Sequence, residues 1–150
     1  MRHLVSTLML LAMLGCAGHI NYDSRLNGTW QSNREESVAD AFRRDPRWAK
    51  APQERVERFK EIFGHLTVTY SSEVVSIRYR GKEEICTYTV RDRGENYVVI
   101  RVHGGSQDGQ DIHIQFVDGG RGYWITSETM LIGLEVHEKF DKVMTAQPGR

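Results

Sequence analysis

From Leu66 onward, apolar and polar residues alternate with a period of two. Leu66, Val68 and Tyr70 interleave with Thr67 and Thr69, Val75, Ile77 and Tyr79 with Ser76 and Arg78, and Cys86, Tyr88 and Val90 with Thr87 and Thr89. Val98, Ile100 and Val102 follow, then Ile112, Ile114 and Phe116, then the short run Tyr123 to Thr126. Leu134, Val136 and Phe140 close the series, against Glu135, His137 and Lys139. Turn-forming clusters divide the runs at Ser71-Ser72-Glu73, Gly81-Lys82, Asp92 to Asn96, Gly104 to Gln110 and Asp118 to Gly122. In a strand, successive side chains point to opposite faces, so this pattern predicts seven strands, each with one buried face.

Ahead of this series the period is different. Leu26 and Trp30 share one face of a first strand, Leu26 to Ser32. Ser32 or Asn33 then offers a helix cap, with Glu35 or Glu36 three residues on. Val38, Ala41 and Phe42 recur at helical spacing, and Asp45-Pro46 ends that helix because a residue before proline avoids the helical region. Pro52 opens a second helix, striped by Val56, Phe59, Ile62 and Phe63 and stopped at Gly64. The order is one strand, two helices, then seven strands. It predicts a mainly β domain, an eight-stranded antiparallel barrel with a helix-turn-helix inserted after the first strand.

The N-terminus has a different character. Met1, Arg2 and His3 are followed by an apolar run, Leu4 to Leu14, broken only by Ser6 and Thr7. Eleven residues are too few to span a bilayer, which takes about 20, but they suit the apolar core of a signal peptide. Met13-Leu14-Gly15-Cys16 resembles the lipobox of bacterial lipoproteins, in which a small residue precedes the cysteine that is cut and lipidated. The resemblance implies a signal peptide over 1–15, lipidation of Cys16 and a short tether over 16–25. Residues 26–142 would then be the barrel and 143–150 a flexible tail. The alternative is a conventional cut near Ala17-Gly18 that leaves a soluble periplasmic protein. Ala17 in place of an aspartate implies, by the same resemblance, the outer membrane, with the domain facing the periplasm.

Charge narrows the partners. Lys plus Arg and Asp plus Glu are both 20 in the full chain, and both signs are interspersed. No basic footprint for nucleic acid is present. Of the two cysteines, a lipidated Cys16 leaves Cys86 without an intrachain partner, and Cys86 reads as a small apolar core residue.

Gly28-Thr29-Trp30 resembles the G-x-W signature of the calycins, the group of lipocalins and fatty-acid-binding proteins. In those folds the tryptophan closes one end of the barrel, which implies that role for Gly28 and Trp30. The order of elements is similar to the fatty-acid-binding branch. That branch has ten strands, however, and grips a carboxylate with an Arg-x-Tyr, where this chain has Glu138-Lys139-Phe140. The resemblance carries over a calycin-like barrel and not a ligand.

Catalytic chemistry finds little support. His19, His65, His103, His113 and His137 include no helical i, i+4 pair, and there is no Cys-x-x-Cys. His103 could approach His113 across a hairpin, and two ligands alone make a weak site. His103-Gly104-Gly105-Ser106 lacks the Gly-x-Ser-x-Gly nucleophile that an oxyanion loop serves, so it reads as a hairpin loop at a flexible rim. No phosphate loop or dinucleotide fingerprint occurs, and neither a cofactor, a metal nor an enzymatic activity is expected. Glu138 shares strand parity with Val136 and Phe140. It either points inward and needs a partner or sits at a strand end and reaches water.

The expected function is that of an envelope lipoprotein that binds or carries a small apolar ligand. Tyr70, Tyr79, Tyr88, Ile100, Ile114, Phe116, Val136 and Glu138 would line the barrel, with the helices lidding its mouth. The alternative is a filled barrel that binds another envelope protein through its loops, as small bacterial lysozyme inhibitors do, with Gly104 to Gln110 as the candidate surface.

Overall fold

The computed structural model describes residues 21–127 and 136–144. Eight strands form a closed antiparallel barrel, each paired with its neighbours in sequence and β1 with β8. They are β1 (Gly28–Asn33), β2 (Leu66–Ser71), β3 (Val74–Tyr79), β4 (Lys82–Arg93), β5 (Tyr97–His103), β6 (Asp111–Val117), β7 (Gly122–Ser127) and β8 (Val136–Lys142). Two helices, α1 (Arg34–Arg44) and α2 (Gln53–Lys60), follow β1 and are separated by a 3-10 turn, Pro46–Lys50. This is the eight-stranded barrel that the alternation predicts, and its order of elements is calycin-like, as the resemblance implies. Closure removes the exposed edges that an open sheet of this size would present. Of the last run, Leu134 falls outside the described residues.

Local chemistry explains the insertion. Asn33 ends β1 and caps α1, its side chain accepting from the Glu36 N–H at 3.0 Å. Asp45 ends α1 and caps the 3-10 turn by accepting from the Arg47 N–H at 3.0 Å. On α2, Arg58 pairs with Glu54, and Lys60 with Glu57 at 3.0 Å. Trp48, Val56, Phe59 and Phe63 form a cluster of their own, flanked by Val38, Ala41, Phe42 and Ala51, apart from the barrel core. The Trp48 and Phe59 rings stack with centroids 4.2 Å apart.

α1 lies on the outer side of β8, where Ser37, fully buried, accepts from the Lys139 N–H at 2.9 Å. The chain leaving α2 touches the rim through the Glu61 carbonyl, which accepts from Arg80 at 3.1 Å.

Gly28 shows why the first strand begins as it does. Its φ is +117°, and a Cβ there would stand 3.2 Å from Lys142 Cε. A side chain would meet both backbone strain and the Lys142 stem. Gly28→Ala is expected to lose roughly 1–3 kcal/mol of stability, read as a lowered urea midpoint with an unchanged slope. An unchanged midpoint would show that the position carries no strain.

Candidate functional site

The two ends of the barrel are built differently. At the end where β1 begins, the chain before it folds across as a plug. The Asn21 carbonyl accepts from the Val90 N–H at 3.0 Å, and Leu26 is completely buried. Arg25 donates to the carbonyls of Gly94 at 2.9 Å, Glu95 at 2.6 Å and Tyr97 at 3.2 Å, and lies 4.6 Å over the Phe116 ring. Asp23, also buried, anchors Arg25 at 2.6 Å, and that bond holds the Asp23 carboxyl below its ordinary range. The end of the expected tether is thus part of the closure. Trp30 completes it: its indole N–H donates to the Leu26 carbonyl at 2.6 Å, its ring lies 4.6 Å from Tyr123, and Lys142 sits 5.0 Å above its other side.

Above this floor the barrel is filled. Trp30, Val98, Tyr123 and Phe140 are 0% exposed, and Val75, Tyr88, Ile100, Val102 and Ile114 are 1% exposed. A side chain lining a water-sized void would show surface to it, so these side chains touch one another instead. Tyr123 stacks on Phe140 at 5.1 Å, and Tyr70 meets Tyr88 edge-on at 5.6 Å. Several expected lining positions are therefore core. Tyr88, Ile100 and Ile114 fill the interior, Tyr70 packs with them, and Phe116 lies under Arg25 at the plugged end. Tyr79 has the inward parity but lies at the last residue of β3, past the last packed layer, and is 42% exposed. Arg80 stands over its ring at 5.4 Å. Val136 begins β8 and pairs with Ser127.

At the opposite end a different layer appears. Leu66 opens β2, Ile77 lies near the end of β3, Ile112 near the start of β6 and Ile125 near the end of β7. All four pack down on the core and are only partly buried. They form an apolar rim around the mouth. Beside Ile125, its direct partner across the β7–β8 pair, stands Glu138.

Glu138 points inward, as its parity allows, and is partly buried. Ser32, on the inner face of β1, donates its hydroxyl to the carboxylate and accepts from the Gly64 N–H at 2.9 Å. Burial pushes the Glu138 carboxyl above its ordinary range, and the Ser32 hydroxyl and Gly64 N–H oppose this. Two tyrosines lie below. The Tyr123 hydroxyl is buried beside the Tyr70 hydroxyl, and both Tyr70 and Glu138 act on it electrostatically. Burial raises both phenols well above their ordinary values. The Tyr88 hydroxyl, which meets the Asp23 backbone at the plugged end, is pushed up to about 12, mainly by burial.

The Gly104 to Gln110 loop is pinned at this same end. Glu84 accepts from Ser106 N–H at 3.1 Å and from its hydroxyl at 2.8 Å, and Asp108 accepts from Gly104 N–H at 2.7 Å. A Cβ on Gly105 would lie 2.7 Å from Cys86 Sγ, so the loop backbone covers that thiol. Burial raises the Cys86 thiol, and Glu84 and Asp108 add to the effect, which makes it a poor nucleophile. His103 pairs with Thr87 and contacts Thr89 at 3.0 Å, whereas His113 faces Val99 and Thr126. The register therefore keeps the two histidines apart. Among the described residues no group of three or more His, Cys, Asp or Glu could hold a metal ion.

The sequence reading missed Lys139. It takes the outward position that alternation assigns, yet its side chain is 2% exposed. Its ammonium lies among Glu36 at 3.1 Å, Asp118 at 3.0 Å and Asp141 at 3.1 Å. Nothing local predicts this, because Glu36 comes from the helix that covers β8. Cys16 falls outside the described residues. Against models of known protein families the chain has no match, and among curated proteins it has none either.

Proposed function

We propose that this chain is a calycin-type lipoprotein of the bacterial cell envelope that takes a small apolar ligand at the mouth of its barrel. The observation that carries the reading is the half-buried apolar rim of Leu66, Ile77, Ile112 and Ile125 above a packed core. Apolar side chains with few convergent polar groups are the usual lining of a small-molecule site. The ligand sits on the core and not within it. The anchor fixes the orientation. Cys16 lies five residues before Asn21, whose carbonyl is bonded at the plugged end. Five extended residues reach no further than about 18 Å. Lipid on Cys16 therefore holds the plugged end at the membrane, in this reading the outer membrane, and turns the mouth toward the periplasm.

Native mass spectrometry of the full-length protein, released from its own envelope in detergent, tests both parts. The expected spectrum shows acyl chains on Cys16 and a bound small molecule. A mature mass without acyl groups would overturn the anchor, and a protein free of small molecule would overturn the ligand.

The filled interior favours a second reading, a module that binds another envelope protein through its surface. The pinned Gly104 to Gln110 loop offers a rigid contact, and Ile85 on the outer wall nearby is 73% exposed. Retention of no specific partner from envelope extract, lysozyme included, would sink it.

A further inference from the structure

By parity the inner wall of the mouth carries Glu84, which lies across from Ile77 and is bonded by Ser106, and Glu138, whose role the apolar rim does not explain. Glu138 stands on the inner wall beside Ile125, within the half-buried layer. Its donors are neutral: the Ser32 hydroxyl and the Gly64 N–H. Two groups that can carry positive charge at this end lie away from Glu138: His65 is 3.8 Å from Glu61, and Lys82 opens β4, the strand opposite β8 in the barrel. Lys139 points outward to Glu36, Asp118 and Asp141, and Lys142 covers Trp30 at the plugged end. Arg34 pairs with Glu61 at 2.6 Å, and Arg80 donates to the Glu61 carbonyl. Among the described residues, none of the ion pairs gives Glu138 a cation.

A carboxylate withdrawn from water without a counter-ion is costly, and a protein that keeps one usually neutralises it or pairs it. The surroundings do not favour pairing with a protein cation. They offer apolar walls and, below, the buried Tyr70 and Tyr123 side chains, which meet each other. A ligand that brings its own positive charge would complete the arrangement. Its N–H groups would bond the carboxylate, and its apolar part would lie against Ile125, Ile112, Leu66 and Ile77.

We propose that the mouth selects lipophilic amines, with Glu138 as counter-ion to the ammonium group. The proposal rests on the mouth-binding reading and deepens it by fixing the polarity of the head group. It also separates this barrel from one that grips fatty acids. A fatty carboxylate would meet Glu138 with like charge, and Arg34 and Arg80 are both held by Glu61.

The test titrates the full-length protein, below micelle concentrations, with three probes of one chain length: dodecylammonium, dodecanol and dodecanoate. The expected order has the amine about tenfold or more tighter than the alcohol, and the alcohol tighter than the acid. In Glu138→Gln the amine's advantage over the alcohol is expected to vanish. Glutamine keeps the shape and an acceptor for Ser32, and far-ultraviolet circular dichroism checks its fold. Should that variant not fold, the order of the three probes on the natural protein decides alone. Dodecanoate binding as tightly as the amine, or a preference for the amine that survives Glu138→Gln, would overturn the proposal and leave the mouth reading standing. Binding of none of the three would overturn the mouth reading itself, and the proposal with it.

Discussion

Trp30→Ala is expected to lower the stability of the protein by about 3–5 kcal/mol, the usual loss when a buried tryptophan is truncated. Three contacts place it at the upper end. The ring is fully buried, it packs 4.6 Å from Tyr123, and its N–H bonds the Leu26 carbonyl at 2.6 Å. The loss also takes the indole donor from the Leu26 carbonyl, which ties the plug to β1. Small domains have a total stability of only about 5–15 kcal/mol, so a large share is removed. Trp30→Phe separates the terms. It keeps an aromatic ring against Tyr123 and forfeits the hydrogen bond, with an expected loss of about 1–2 kcal/mol. Urea unfolding followed by far-ultraviolet circular dichroism measures both. A loss below about 1 kcal/mol for the alanine variant would mean that the barrel floor holds without Trp30.

The architecture was legible because period-two alternation and turn chemistry act locally. Each of the eight strands carries its own pattern, and Asn33 is its own evidence for the start of α1. Parity also told which residues face inward. It could not tell whether they enclose a space, because that depends on how eight inner faces meet. Here Tyr88, Tyr123, Phe140 and Trp30 converge and fill the centre. Tyr79 shows a related limit, since correct parity at the end of a strand still leaves a side chain in water.

The candidate site was legible only in part, and for the same reason. Glu138 was marked by its parity, but its partner Ser32 lies 106 residues earlier in the chain. The plug was read as tether because Asp23 and Arg25 are polar. Arg25 is held by carbonyls about 70 residues away and in turn holds the buried Asp23, which no local pattern announces. His103 and His113 fit a plausible hairpin until the register set them on different rungs.

Lys139 is the second position with a large expected effect, and its chemistry differs from that of Trp30. Lys139→Met keeps the stem and removes the charge, and is expected to cost about 1.5–3 kcal/mol, the range for hydrogen bonds to charged groups. The three carboxylates around it are 47–56% exposed, so each can recover water, and screening keeps the loss below that of an orphaned buried charge. The stem itself is tightly placed. A Cβ on Gly122 would fall 2.7 Å from Lys139 Cε, so the glycine is what lets the lysine cross β7. The pH dependence follows from the direction of the shift. Burial alone would lower the lysine's pKa, but the bonds to Asp118, Asp141 and Glu36 outweigh it, and the folded value lies above the unfolded one. The stabilisation is therefore fully present below the unfolded value of about 10.4 and is lost as pH rises through the higher folded value. The stability difference between the natural protein and Lys139→Met should stay level from about pH 6 to 9 and shrink only beyond about pH 10.5. Glu36→Gln isolates the share that ties α1 to β8. Because Glu36 is half exposed, its loss alone should cost no more than about 1 kcal/mol. A difference that already collapses between about pH 7 and 9 would mean that the ammonium sheds its proton more readily in the fold than in water. The clasp between α1 and the barrel wall would then rest on the Ser37 bond and not on charge.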